Sequence, residues 1–304
     1  MPEESRVMIM KTGMIGAGKV GCSLGKYLRS NGLEITGYYD KNQTFAKEAA
    51  DFTGTSCRDS LEEIVNESDT LFLTVPDDLI LSVWNQIKDM PLQGKFICHC
   101  SGAMSAGDAF PGIDSCGAFG YSVHPLFAVS DKYSSYKELS NAYFVIEGNR
   151  EHREEIAGLF QSLGNEVRFI KAEDKVKYHC AAAICSNHVV ALIEESLTLM
   201  KDCGFDEESA RRALAPIMLG NMKHIIEGGT AESLTGPVER ADIKTVKKHL
   251  SCLDEDQRKL YCLLSEILVS IGERKNPRRD YEPVMEVLSS GARQRETENQ
   301  EVKK

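Results

Sequence analysis

A chain of 304 residues with 42% hydrophobic and 27% charged side chains is long enough for about two domains and apolar enough to bury a core. Thirty-six basic against 46 acidic residues leave a net charge of −10, which argues against a phosphate-backbone partner or an anionic membrane surface. No apolar run approaches the ~18–20 residues of a membrane span, and MPEESRVMIMKTG has no secretory apolar core, so the expectation is a cytoplasmic protein with reduced cysteines.

In chain order, short apolar runs predict strands over 11–15, 33–39, 69–75, 95–100, 117–123, 142–147 and 166–170. Helical patterns fall between them near 18–30, 43–53, 59–66, 77–89 and 150–163, the second and third introduced by Asn42 and Asp59 as N-caps. That alternation predicts βαβ units in a mainly parallel sheet, an α/β domain over 1–171. After Ile170 the strand signal ends. Helices are predicted over 173–203, 206–227 (capped by Asp206), 238–251 and 254–273, an all-α domain over 172–280. Pro237 of Thr235-Gly236-Pro237 is placed to open one of these helices, and the basic run Arg274-Lys275, Arg278-Arg279 reads as a solvated helix end. Residues 281–304, charged towards their end, read as a flexible tail.

The most informative motif is Gly16-x-Gly18-x-x-Gly21, which leaves the first strand and opens the first helix. Gly16 allows a tight turn, Gly18 lets backbone approach a pyrophosphate, and Gly21 lets helix and strand pack closely. Amides of Ala17, Lys19 and Val20 then stand at a helix start suited to phosphate. Asp40 ends the second strand, where its carboxylate can accept bonds from a ribose, and Lys41 beside it could instead neutralise a 2′-phosphate. Val75-Pro76 and Ser101-Gly102 end two later strands, where open α/β sheets bind ligands. The cluster Cys98-His99-Cys100 is expected to hold no metal, because alternation along a strand turns His99 away from both cysteines.

With TVPDD, HCSGA, SVHPL and LTGPVERAD added to the glycine loop, the chain resembles the Rossmann-like, NAD(P)-dependent oxidoreductases whose C-terminal half is a helical domain of unknown function. The resemblance spans residues 11–273, with Ala241 where that family usually has Gly. It implies a Rossmann-type domain followed by an all-α domain, and NADP as cofactor, whereas Asp40 on its own favours NAD. More distantly the chain is similar to β-hydroxyacid dehydrogenases, pyrroline-5-carboxylate reductases and prephenate dehydrogenases. Aligning the Asn of the first of these with Asn187 puts Ala183 where their catalytic lysine stands, which makes that substrate class unlike this chain's.

Three residues are proposed as catalytic: two histidines for proton transfer and Asn187, whose amide can both donate to and accept from a bound carbonyl. His124 ends an apolar strand before Pro125 and would act as general acid/base with an ordinary imidazole pKa. His179 and Asn187 share a helix face with Ala183 at i, i+4, i+8 spacing. Thr235 and Arg240 are the expected substrate contacts, Arg240 offering a fork for a carboxylate. Together these residues predict hydride transfer between nicotinamide and a small carbonyl, imine or alcohol in an interdomain cleft, in a homodimer joined through the helical domain. The alternative is a dinucleotide-binding sensor that does no chemistry.

Overall fold

A computed structural model describes residues 10–293. Seven strands form: β1 (Thr12–Ile15), β2 (Ile35–Tyr39), β3 (Thr70–Leu73), β4 (Phe96–His99), β5 (Phe119–Leu126), β6 (Tyr143–Gly148) and β7 (Val167–Phe169). They build one sheet in the order β2-β1-β3-β4-β5-β6-β7, parallel throughout except where β6 runs against β5. The order reverses between β1 and β3, so a crevice opens at the carboxyl ends of those strands. Helices α1 (Lys19–Ser30), α2 (Gln43–Thr53), α3 (Leu61–Glu67), α4 (Asp77–Ile87), α5 (Ala106–Ala109) and α6 (Arg153–Gln161) connect the strands.

Alternation along the central strands feeds two cores. Met14, Phe72, Cys98 and Tyr121 pack on one side of the sheet, and Ile15, Leu71, Leu73 and Ile97 on the other. Cys98 and Cys100 share the first side, while His99 meets the ring of Phe110 on the second. Asn42 caps α2 as expected. For α3 the cap is Ser60, not Asp59: the Ser60 hydroxyl takes the Glu63 amide, and the Asp59 amide donates to the Glu63 carboxylate.

Two compact units divide between Val189 and Val190, not at the expected 171/172 boundary. The reason lies in α7 (Lys175–Asp202), one 28-residue helix that begins in the first unit and ends in the second. Contrary to the hydropathy expectation, the helix Ala172–Asp202 is long and apolar enough to cross a membrane, by length and composition only. Small alanines and scattered polar groups hide that signal from a search for an unbroken apolar run.

In the second unit α8 (Glu207–Ser233), capped by Asp206 and kinked at Gly229, precedes α9 (Ile243–Cys252), α10 (Glu255–Lys275) and α11 (Glu282–Arg293). Val238, Val246, Leu250, Cys262, Val269, Tyr281, Val284 and Leu288 form its core. Residues 281–293 are therefore not a flexible tail. Tyr281, just before α11, and Val284 and Leu288 on it close this core; residues 294–304 lie outside the described residues. The basic run is not simply solvated either. Lys275 donates to the Leu234 carbonyl at 2.7 Å and Arg279 pairs with Glu239 at 2.6 Å, pinning the LTGPVER segment.

Pro237 does not open a helix. It begins a turn closed by the Asp242 amide on the Pro237 carbonyl, and α9 starts only after Asp242, which caps the Thr245 amide. Ala241 sits inside that turn at φ 55°, in the left-handed region where a side chain costs roughly 1–2 kcal/mol. Glycine removes that strain, though it adds unfolded-chain entropy of roughly 0.4–1 kcal/mol. Ala241→Gly is expected to stabilise the protein by about 0.5–1 kcal/mol, read as a rise in the thermal unfolding midpoint; a lower midpoint would contradict the strain argument.

Candidate active site

The β1–α1 turn is built by the glycines in the manner the motif predicts. Gly16 has φ 107°, and a Cβ there would lie 2.8 Å from the Thr74 carbonyl carbon. A Cβ on Gly21 would overlap the Gly16 carbonyl and the Thr74 hydroxyl, which donates to that carbonyl at 2.8 Å. Gly18 differs: nothing stands within 4 Å of a Cβ placed on it. The two outer glycines are thus demanded by the fold, and the middle one faces open space. Gly18 is also the N-cap of α1; no side chain caps this helix and no acidic residue stands in its first turn, where Lys19 and Val20 lie. These amides remain available to an anion.

A cavity of about 620 Å³ adjoins the turn, lined by Gly16, Gly18, Asp40, Lys41, Val75 and Pro76 among the predicted residues. Phe45, Leu61, Leu79 and Val83 supply an apolar wall that sequence reasoning missed. They lie on helices, and only the packing of α2, α3 and α4 brings them to one cavity. Asp40 is held at both oxygens: Oδ2 accepts from the Ala17 amide at 2.8 Å and Oδ1 from the Asn42 amide at 2.8 Å. Its carboxylate is fixed on the cavity edge, while Lys41 is exposed.

A second cavity, about 440 Å³, opens at the end of β5. His124, His179, Ala183 and Asn187 all line it, so the i, i+4, i+8 face is real, and Phe127, Leu126 and further alanines of α7 complete it. Its polar centre is a pair: His124 Nδ1 lies 2.7 Å from the hydroxyl of Tyr178, a residue sequence reasoning passed over. The His124 and His179 rings are 6.2 Å apart. Gly102 lies between them, since a Cβ there would collide with His179 and stand 3.1 Å from His124 Nε2.

The two cavities share a link. Pro76 lines the first, and its neighbour Asp77, in the first turn of α4, accepts from the Ser101 hydroxyl at 2.6 Å. Ser101 and Gly102 therefore border the His124 side instead of lining the first cavity.

Beneath this turn lies Lys175, also missed in sequence. It is 1% exposed, and its ammonium donates to the Ser101 carbonyl at 2.8 Å and to the Ser122 hydroxyl. A lysine in a KVKY stretch opening a helix carries no sequence signal of burial. Burial lowers its pKa to about 8, partly offset by Glu147. Burial first, then the charges of Lys175 and His179, push His124 down to about 4. The expected ordinary imidazole pKa is thus corrected: His124 is uncharged at neutral pH. His99, fully buried, is likewise lowered to about 3 by burial and then by Lys175; its Nδ1 accepts the Ser101 amide at 3.1 Å.

Thr235 and Arg240 belong to the second unit. Both are exposed, and Asp242 rather than Thr235 caps the following helix.

Two domain families match the sequence: a Rossmann-like domain over residues 2–125 and the Domain of unknown function (DUF2520) over residues 142–267. The second match begins within the sheet, at β6, about 30 residues before the helical region expected from sequence. No curated protein matches the chain. Among solved structures, a candidate NADP oxidoreductase from Bacteroides fragilis is similar with a TM-score of 0.70 at 19% identity, covering 87% of this chain and 99% of that one. A Thermotoga maritima protein gives 0.67 at 25% identity, covering 88% and 100%. A pyrroline-5-carboxylate reductase from Coxiella burnetii gives 0.59 at 14% identity, covering 88% and 99%. The chain thus carries a Rossmann-like domain over residues 2–125 and a DUF2520 domain over residues 142–267.

Proposed function

We propose that the protein is an NAD(P)-dependent oxidoreductase that moves a hydride between nicotinamide and a small carbonyl, imine or alcohol at the His124 cavity. The observation that carries this reading is the open cradle at Gly18 beside uncapped helix amides, linked through Asp77 and Ser101 to the His124–Tyr178 pair. A dinucleotide fits that cradle: Gly18, Lys19 and Val20 would hold its pyrophosphate, while Gly16 and Gly21 shape the turn. The Ala17 amide is not free for it because it holds Asp40. Asp40 and Lys41 would take the ribose, and the apolar wall the base. When bound, it supplies or accepts the hydride.

Hydride transfer to a carbon bearing oxygen or nitrogen leaves charge on the heteroatom, which the chain's own residues must meet. With the Tyr178 hydroxyl donating to Nδ1, the His124 proton resides on Nε2 and can be given as a hydrogen bond to that heteroatom. With the pair reversed, Nε2 is free to accept the proton of an alcohol. Asn187 and His179, on the facing wall, would orient the substrate. NADP is the cofactor named for the Bacteroides neighbour, while the fixed Asp40 carboxylate favours a free 2′-hydroxyl.

Incubation with NADH or NADPH and a panel of keto acids, imines and aldehydes is expected to give turnover with at least one pair. Gly18→Val should fold normally, because its side chain enters open space, and lose dinucleotide binding in a fluorescence titration. Asp40→Ala should weaken NADH more than NADPH. Binding without turnover on any substrate would favour the sensor reading.

His124→Asn is expected to lower turnover ~10²–10⁴-fold, the usual size of a lost acid/base. The sign of the pH dependence follows from the lowered pKa. The uncharged ring persists as pH falls from 8 to 5, so the rate stays flat there and drops only as pH approaches about 4. Turnover within threefold of wild type would move the role to His179.

The assembly we propose is a homodimer joined through the helical unit, in the cytoplasm, with no nucleic acid or membrane partner. In α8 only Ala210 is buried, and Leu219 and Ile226 are 72% and 82% exposed. Leu263 and Ile267 of α10 are exposed as well. Apolar side chains left this exposed on two helices gain from being covered, and a second copy offers a matching surface. Light scattering at micromolar concentration without detergent should give twice the chain mass of 33.7 kDa; a monomer would count against the dimer, and a requirement for detergent against the soluble reading.

A further inference from the structure

Lysine is almost never fully buried without a paired charge. Lys175 is buried, yet among the described residues no carboxylate comes within 4 Å of its ammonium. It is held instead by two neutral acceptors, the Ser101 carbonyl and the Ser122 hydroxyl, and Ser122 in turn donates to the Ser101 carbonyl at 3.2 Å. This closed triangle ties three elements together: the turn after β4, the middle of β5 and the first turn of α7. Each corner leads to a residue of the His124 cavity or its border. Ser101 precedes Gly102, Ser122 lies two residues before His124, and Lys175 lies three and four residues before Tyr178 and His179 on the same helix face.

We propose that Lys175 is the positioning residue of this site, its ammonium clamping the Ser101–Gly102 turn and β5 to α7 so that His124, Tyr178 and His179 meet. The inference rests on the reading of His124 as the group that meets the substrate. Lys175 acts through its neighbours, because it is buried and lines neither cavity. A buried positive charge in place of an apolar side chain has a second effect: it disfavours a proton on nearby imidazoles. The groups facing it are Asp77 from α4, His99 and Cys100 around the end of β4, His124 from β5 and Glu147 from β6, which pairs with Ser122 across the strands. One Glu147 oxygen accepts the Ala106 amide, and Glu147 forms no ion pair with the ammonium within 4 Å, so its charge offsets that of Lys175 only in part.

The test needs no substrate. In the full chain, histidine ring resonances are followed by NMR, with that of His124 identified by its loss in His124→Asn. Wild-type His124 should remain uncharged from pH 8 to 5, and in Lys175→Met its titration midpoint should rise by at least one pH unit. A folded Lys175→Met protein whose His124 titrates as in wild type would overturn the proposal. Should that variant fail to fold, the wild-type chain suffices. Discharge of Lys175 near pH 8 should shift the His124 resonance, because Cys100 and Tyr178 are both pushed up to about 12 and stay silent in that range. No His124 shift between pH 7 and 9 would overturn the proposal in the same way. If both shifts appear but no substrate or cofactor is ever turned over, the clamp stands and the catalytic reading falls.

Discussion

The close approach of the β1–α1 turn to the end of β3 is the contact on which the rest of the site depends. Two glycines and one hydroxyl make it: Gly16 in a left-handed conformation, Gly21 against the Gly16 carbonyl, and Thr74 donating to that carbonyl. Any Cβ at either glycine would force helix and strand apart. Because they stay together, the first amides of α1 point to the crevice where the sheet order reverses. Asp40 then reaches back across the crevice to the Ala17 amide, so the second strand is registered to the same turn.

A second region is organised by electrostatics in a low-dielectric setting. The carboxyl ends of β4 and β5 gather two imidazoles, a lysine and a glutamate with little water around them. In such a place each additional positive charge is costly, and the lysine keeps its proton more readily than either histidine. The outcome is a cavity whose central imidazole is uncharged and hydrogen-bonded to a tyrosine. That differs from the half-protonated histidine that an exposed strand end would present. A neutral imidazole suits a role as hydrogen-bond donor or acceptor to a substrate heteroatom more than a role as a cationic anchor.

Helix ends in both units show how a local reading goes astray when the competing hydrogen-bond partners are out of view. Asp59 and Ser60 are both good caps, and the reach of Glu63 back to the Asp59 amide decides in favour of Ser60. Pro237 is compatible with a helix start, but the turn it opens closes on Asp242. Lys275 and Arg279 look solvated in sequence because their acceptors, the Leu234 carbonyl and Glu239, are some forty residues away. The polar residues beyond Arg293 mask the spacing of Tyr281, Val284 and Leu288, which packs α11 on the core.

Sequence alone determined the features that rest on short-range chemistry. Seven strands follow from short apolar runs, the mainly parallel pairing from their alternation with helices, and the tight β1–α1 turn from three glycines at fixed spacing. The shared face of His179 and Asn187 was legible for the same reason, since a helix has a set period. His124 lies on the expected strand, but that strand runs on through Pro125 to Leu126 because β6 pairs with it that far. Only the tertiary structure decided which groups face each other across elements. Tyr178 meets His124 over 54 residues of chain, and Lys175 reaches Ser101 over 74. No local pattern marks a lysine as buried, or a tyrosine as the partner of a distant histidine, in the first turn of a helix. The charge state of His124 was equally out of reach, because a pKa is set by desolvation and by neighbours in space, which a list of neighbours in sequence does not contain.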